Sequence, residues 1–308
     1  MIQDALCDIY SSIIDRNAFL KQIRFYSLLR WLTRQTANIV LPIAFRLCPS
    51  KTVLPKTTKP NYIVSLTSFP ARIDKVWLVI ECLFRQTVLP DKIILWLSQE
   101  QFASLESLPV RLKTYLSRGL DIRMVEGDIR SHKKYAYTLM QYPEAILITI
   151  DDDLFYRSTL IEELMMGHKA HPKAVIAHYT HTIQYDKDGN ILPYNQWENN
   201  VIEGDHLFFG SGGGTLFPPH ALHKDVCNIE AALGVCPQAD DIWLNGMARL
   251  NGTIVIHAGR KEIYLPILHC DASRLFTSNE NGGNDHQLHQ LITYCTTQYH
   301  TNPFAHAK

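Results

Sequence analysis

The sequence predicts an α/β protein with a parallel, doubly wound sheet and a helical extension in front of it. Three observations lead there. From Tyr62 onward, short β-branched runs alternate with amphipathic stretches, the pattern of βαβ units whose strands lie parallel. One run, 145–150, is apolar but for Thr149, as a strand covered on both faces requires. It ends directly in Asp151-Asp152-Asp153, and open α/β sheets bind ligands outside the carboxyl ends of their strands.

Composition bounds the class. A chain of 308 residues, 46% hydrophobic and 19% charged, can bury a sizeable core. The formal net charge of zero argues against a broad nucleic-acid footprint. Seven cysteines, an odd number with no C-x-x-C pair, fit reduced thiols in a cytosolic protein. Residues 1–8 are acidic before they are apolar and lack the basic start of a secretory signal. No run reaches the roughly 18 apolar residues of a spanning helix.

Taken in order, residues 1–58 read as an extension and linker, and 59–308 as the main domain. Residues 16–46 hold six basic side chains, no acidic one, and interleaved aromatic and aliphatic groups. Such a helix can lie on an anionic membrane surface; it can equally pack on the domain or on a second subunit. Residues 49–60, rich in proline, lysine and threonine, read as linker. A first strand spans 62–67. Asp74 is placed to cap a helix over 75–87, whose apolar residues recur at i, i+3, i+4, i+7 and i+8. A second strand follows at 92–97, then a helix over 105–118 stopped by Gly119 and a third strand at 121–125. A helix over 135–141 leads to the Asp-run strand, about the fourth.

Beyond it, Thr159 and Glu162 have capping-box spacing for a helix over 160–170, and 174–179 is a strand. Residues 184–204 read as a long loop or hairpin. A glycine-rich run, Gly210-Ser211-Gly212-Gly213-Gly214, comes next. A helix from Asp240 or Asp241 to Leu250 precedes strands at 253–257 and 262–268, the second ending at His269. The polar tail from Ser273 reads as a mobile lid or as disorder.

Three adjacent carboxylates repel one another unless cations or donors share the charge. A hard divalent cation, Mg²⁺ or Mn²⁺, is the natural occupant of an all-oxygen site. The alternative, that these acids start the next helix, is weakened because the capping signal lies six or more residues further on.

In this order the features resemble a GT-A-fold glycosyltransferase of the bacterial, family-2-like kind that assembles polysaccharides. The features are an N-terminal βα half, an Asp-x-Asp at a mid-chain strand end, a Gly-rich segment, an acidic pair opening a helix, and a C-terminal His, over roughly 59–271. The resemblance implies a mixed, doubly wound sheet with a nucleotide-binding Rossmann-like half and an acceptor half. It implies that Asp151 and Asp153 hold the metal and the donor ribose, with Asp152 between them and His269 completing the metal shell. Asp240-Asp241 matches the acidic pair, Asp241 as the general base; Asp240 stands where the family more often has Glu. Acids in a first turn also suit the helix dipole.

Thr67, Ser68 and Arg72 after the first strand, and Asp128, Arg130, Lys133 and Lys134 after the third, match the donor cradle; each alone also reads as a solvated loop residue. Gly212 and Gly213 match the acceptor-side lining, where small residues let backbone approach sugar, or they form a bulge. Trp197 and Tyr194 are candidates to stack on a sugar or to pack in the core.

The implied reaction is metal-dependent transfer of a sugar from a nucleotide-diphosphate donor, a UDP-sugar first. The acceptor is a carbohydrate or lipid-linked glycan, and the outcome is inversion. The implied setting is the cytoplasm, peripheral at the inner face of the membrane through 16–46. A nucleotidyltransferase acting on sugar phosphates shares the sheet and the metal but would need a basic, Gly-rich first loop, which is missing. A phosphatase of the Asp-x-Asp-x-Thr/Val type would need its motif near the first strand, and residue 155 is Phe. A non-catalytic carbohydrate-binding homologue is the third alternative; retention of five acids weighs against it.

Overall fold

Apolar runs become the centre of a seven-stranded sheet in the computed structural model, which describes residues 1–14, 18–199, 201–204, 206–260, 263–268 and 283–306. Strands β1 (Tyr62–Thr67), β2 (Lys92–Ser98), β3 (Leu120–Val125) and β4 (Ile146–Ile150) are parallel and lie in the order β3-β2-β1-β4. The interior positions of β1, β2 and β4 are buried, which is why these runs carry apolar residues on both faces.

Downstream come β5 (Leu154–Phe155), β6 (Val175–Ala177), β7 (Thr180–Thr182), β8 (Glu198–Asn199), β9 (Leu207–Phe209) and β10 (Gly213–Phe217). β10 enters antiparallel between β4 and β6, so the sheet is mixed. β11 (Val255–His257) closes it, parallel to β6. β7 joins β8 and β9 in a small antiparallel sheet, and β12 (Leu265–Pro266) pairs with β5. The loop or hairpin read over 184–204 is the β7–β8 hairpin.

Several local readings are corrected. Asp74 caps nothing: the first helix of the sheet domain is Val76–Leu83, preceded by Lys75 with no side-chain cap. The single helix read over 105–118 is broken into a 3₁₀ turn at Leu105–Ser107, an α turn at Val110–Lys113 and a 3₁₀ turn at Leu116–Arg118. Pro109 lacks the N–H needed to carry one helix through. Gly119 does end the stretch, at φ +102°. The capping box at Thr159 is absent, because Glu162 accepts from Thr87 Oγ1 at 2.7 Å and Thr159 donates to Glu163 at 2.6 Å. The tail read as lid or disorder contains a helix, Asn284–Tyr299, which packs on the helix Asp240–Leu250 and buries Leu288, Leu291 and Cys295. His269 lies outside the described residues.

The extension packs on the domain. A helix at Ile2–Ser12 buries Gln3, Cys7 and Tyr10, and Asp4 accepts from the backbone N–H of Ser158 at 2.8 Å. The helix Phe25–Leu47 buries Ala37, Leu41 and Phe45. The stretch read as linker is tied down too: Ser50 N–H donates to the buried Glu81 at 2.6 Å and Leu54 N–H to the Arg118 carbonyl at 2.9 Å. Among the described residues, no helix is long and apolar enough to cross a membrane.

Candidate active site

The strand order sets the site. β1 and β4 end, and β10 begins, at one edge of the sheet, with Gly213 opposite Ile150. Ser68 Oγ donates to Asp152 Oδ2 at 2.5 Å, and Arg72 Nη1 reaches Asp152 Oδ1 at 2.8 Å and Asp153 Oδ2 at 2.9 Å. Asp152 is buried, and burial raises its pKa even though Arg72 and Ser68 oppose the shift. Thr67 lies beside this group with its hydroxyl engaged by the Trp96 carbonyl at 2.8 Å.

Asp151 is fixed through its backbone, whose N–H is shared between the Gly212 carbonyl at 3.1 Å and Tyr156 Oη at 2.8 Å. Its carboxylate lies against Gly212, where any Cβ would collide with it. Gly212 is therefore required by the acid run itself. Asp153, 27% exposed, has its carboxyl pushed up to about 7, by burial first and by the charge of Asp151 second.

Lys134 joins the two halves. Its buried Nζ sits 2.9 Å from Asp151 Oδ1 and 3.1 Å from Asp240 Oδ2. Burial alone would raise Asp240, but Lys134, His132 and a 2.8 Å bond from Ser211 Oγ outweigh it and hold that carboxyl below its ordinary value. Asp241, next on the helix, goes the other way. Burial and the charge of Asp240 push it up to about 7, although Lys134 opposes. Its Oδ1 accepts the N–H of Ile242 at 3.1 Å.

Aromatic rings continue the wall from Gly213 toward Asp241. Tyr264 and Tyr179 stand 5.9 Å apart between centroids, Tyr179 and His181 4.8 Å, and His181 and Tyr194 5.6 Å. A Cβ on Gly213 would meet Tyr179 Cβ and Tyr264 Oη, both at 2.8 Å. Burial raises the Tyr194 hydroxyl, and the charge of Asp241 raises it further.

Not every candidate joins this group. Asp128 is held in its own loop by Gln101 Nε2 at 2.6 Å, the Arg130 N–H at 3.0 Å and Lys133. Trp197, 3% exposed, belongs to the core: its indole N–H is bound to the Leu192 carbonyl at 2.8 Å and its ring packs on Tyr194 and Phe208. Conversely, Tyr156, Ser211 and His132 take part without having been singled out from the sequence. Ser211 was legible inside the glycine run. His132, whose pKa burial lowers against the pull of Asp240, is bound to Tyr135 Oη and the Cys236 carbonyl, each at 2.8 Å, and nothing local signals that.

Among the described residues, no three His, Cys, Asp or Glu side chains are arranged as a metal cage. The chemistry of the donor set nevertheless suits a hard cation. Five carboxylates (Asp151, Asp152, Asp153, Asp240, Asp241) are met by two cationic side chains, Arg72 and Lys134. Asp151 and Asp153, 43% and 27% exposed, are open to such an ion and offer only oxygen.

No protein-family model and no curated protein matches this sequence. Solved structures resemble it in chain path. One is a mannosyltransferase, PcManGT from Pyrobaculum calidifontis, in complex with GDP-Man and Mn²⁺; it is 12% identical over 87% of this chain and 75% of that one, with a TM-score of 0.44. Residues 1–349 of TarS from S. aureus are 12% identical over 79% and 74%, also at 0.44. The 4-diphosphocytidyl-2C-methyl-D-erythritol synthase of Anaerococcus prevotii is 14% identical over 71% and 97%, at 0.43.

Proposed function

We propose that this protein is a GT-A-type glycosyltransferase of bacterial polysaccharide assembly. It moves a sugar from a nucleotide-diphosphate donor, a UDP-sugar first, to a carbohydrate or lipid-linked glycan acceptor in the cytoplasm. One observation carries the reading. Lys134 binds Asp151 and Asp240 at once, so the acid run at the end of β4 and the acid pair on the helix Asp240–Leu250 form a single cluster. A donor held at the first lies beside an acceptor held at the second.

In this reading Arg72 and Ser68 hold Asp152 rigid, and Asp151 and Asp153 would hold Mn²⁺ or Mg²⁺ beside the donor's diphosphate. A cation bound there acts as a Lewis acid toward the departing nucleotide. His269 is proposed as a further ligand. Asp240 is held ionised by Lys134 and Ser211, which keeps Asp241 the more basic of the two. Asp241 takes the proton of the acceptor hydroxyl as that oxygen attacks the anomeric carbon from the face opposite the nucleotide. Inversion is carried by the resemblance to inverting GT-A enzymes. Gly212, Gly213 and Tyr194 line the acceptor side. Thr67 flanks the donor.

The test is incubation with UDP-, GDP- and dTDP-sugars and Mn²⁺, reading release of nucleoside diphosphate. Asp153→Ala abolishes it if the reading holds; an unchanged rate ends the metal assignment. Release of pyrophosphate from a nucleoside triphosphate and a sugar phosphate would instead favour nucleotidyl transfer.

A further inference from the structure

The helix Phe25–Leu47 has two apolar faces, and among the described residues only one is covered. Ala37, Leu41 and Phe45 turn inward. Half a turn away, Phe25, Leu28, Leu32, Ile39, Ile43 and Leu47 recur at helical spacing and are all exposed, Ile39 at 63% and Leu47 at 77%. At about 1.5 Å per residue the stripe runs roughly 33 Å, broken only by Gln35 and Thr36, and an apolar stripe of that extent marks an interaction site rather than ordinary scatter.

Charge identifies the partner. Residues 16–73 contain ten Lys or Arg and no Asp or Glu, and Lys21, Arg24, Arg46 and Lys51 are exposed around the stripe. A second copy of this chain on the stripe would set one basic border against another, which is unfavourable. An anionic bilayer offers the complement on both counts, negative headgroups above an acyl layer.

We propose that the outer face of Phe25–Leu47 docks on an anionic lipid bilayer, its axis in the headgroup plane. The same helix is fastened to the strand beside the acid run. Asn38 Nδ2 donates to the Pro266 carbonyl at 2.9 Å, Asn38 Oδ1 accepts from Leu268 N–H at 2.8 Å, and Ile267 N–H donates to the Asp153 carbonyl at 2.7 Å. Docking therefore fixes the site relative to the membrane. The inference stands apart from the sugar-transfer reading, since its readout is binding.

Full-length protein is sedimented with phosphatidylcholine vesicles, with and without about 30% phosphatidylglycerol. Wild type is expected to pellet with the anionic vesicles and to be released by roughly 0.5 M salt. Leu32→Gln/Ile39→Gln/Ile43→Gln and Lys21→Glu/Arg24→Glu are each expected to lower the bound fraction roughly tenfold. Because these side chains are exposed, the melting temperature checks that both variants fold. Two outcomes overturn the proposal. One is wild type staying in the supernatant or binding neutral vesicles equally. The other is a concentration-dependent dimer that the apolar triple variant converts to monomer.

Discussion

Asp241 shows how burial acts on stability and on chemistry through one carboxyl. Its ordinary value is 3.8 and its folded value about 7. Between those limits the folded chain keeps a proton that the unfolded chain has lost, so stability falls as pH rises from about 4 to about 7. Above that window the full cost is present. Asp241→Asn removes it, and is expected to melt higher than wild type at pH 8, by on the order of 1–2 kcal/mol, with the gain shrinking toward pH 4. The same variant is expected to lose transfer by about 10³, and wild-type turnover to fall as pH drops below about 7. A variant that keeps its rate would remove Asp241 as the base.

Lys134 is the reverse case. Lys134→Met leaves Asp151 and Asp240 facing each other without their shared cation, a loss of about 3–5 kcal/mol in urea unfolding. Adding Asp240→Asn is expected to restore at least half of it, since the uncompensated pair is gone. The acids themselves were legible from their adjacency. Lys134 was legible as a donor-cradle candidate but not as the partner of these acids, because it stands 17 residues before Asp151 and its side chain is aimed by the packing of a helix.

At the scale of elements, pattern was readable where burial is regular and failed where polar residues do the packing. β1 and the helix Leu160–Ala170 have the bounds that their apolar runs predict. The helix Asn284–Tyr299 escaped because its exposed positions are His, Thr and Gln, while Leu288, Leu291 and Cys295 keep the helical spacing. That helix also supports the site. Leu291 Cδ2 lies 2.6 Å from where a Cβ on Gly246 would stand, so the two helices are in close contact, and Gln287 Oε1 accepts the N–H groups of Gln238 and Ala239 just before Asp240, at 2.9 and 3.1 Å. Leu291→Ala is expected to cost about 2–4 kcal/mol. It should lower kcat more than the donor KM, because the element that loosens carries Asp241 rather than the donor cradle. An unchanged kcat would make the tail helix a bystander.

At the scale of the whole molecule, the mixed sheet and the helical extension were legible as architecture; the antiparallel strand was not, since five residues beginning Gly-Gly give no sign of direction. The cluster built across that sheet sets an expectation for ligand linkage. UDP with Mn²⁺ should raise the melting temperature by an amount that neither produces alone, corresponding to about 2.7 kcal/mol when the complex is at 100 times its Kd. EDTA should abolish the rise. Equal stabilisation by UDP with and without the cation would argue for Arg72 and Lys134 as the only diphosphate partners.

The reversed direction of β10 has a mechanical corollary. Because that strand starts where β4 stops, the acid run and the glycine run are riveted by main-chain bonds, Asp151 to Gly212 among them. No clamshell motion can separate them without tearing the sheet. The distance between these two backbone segments is thereby set by the sheet, so a substitution that shifts one of them is expected to shift the other.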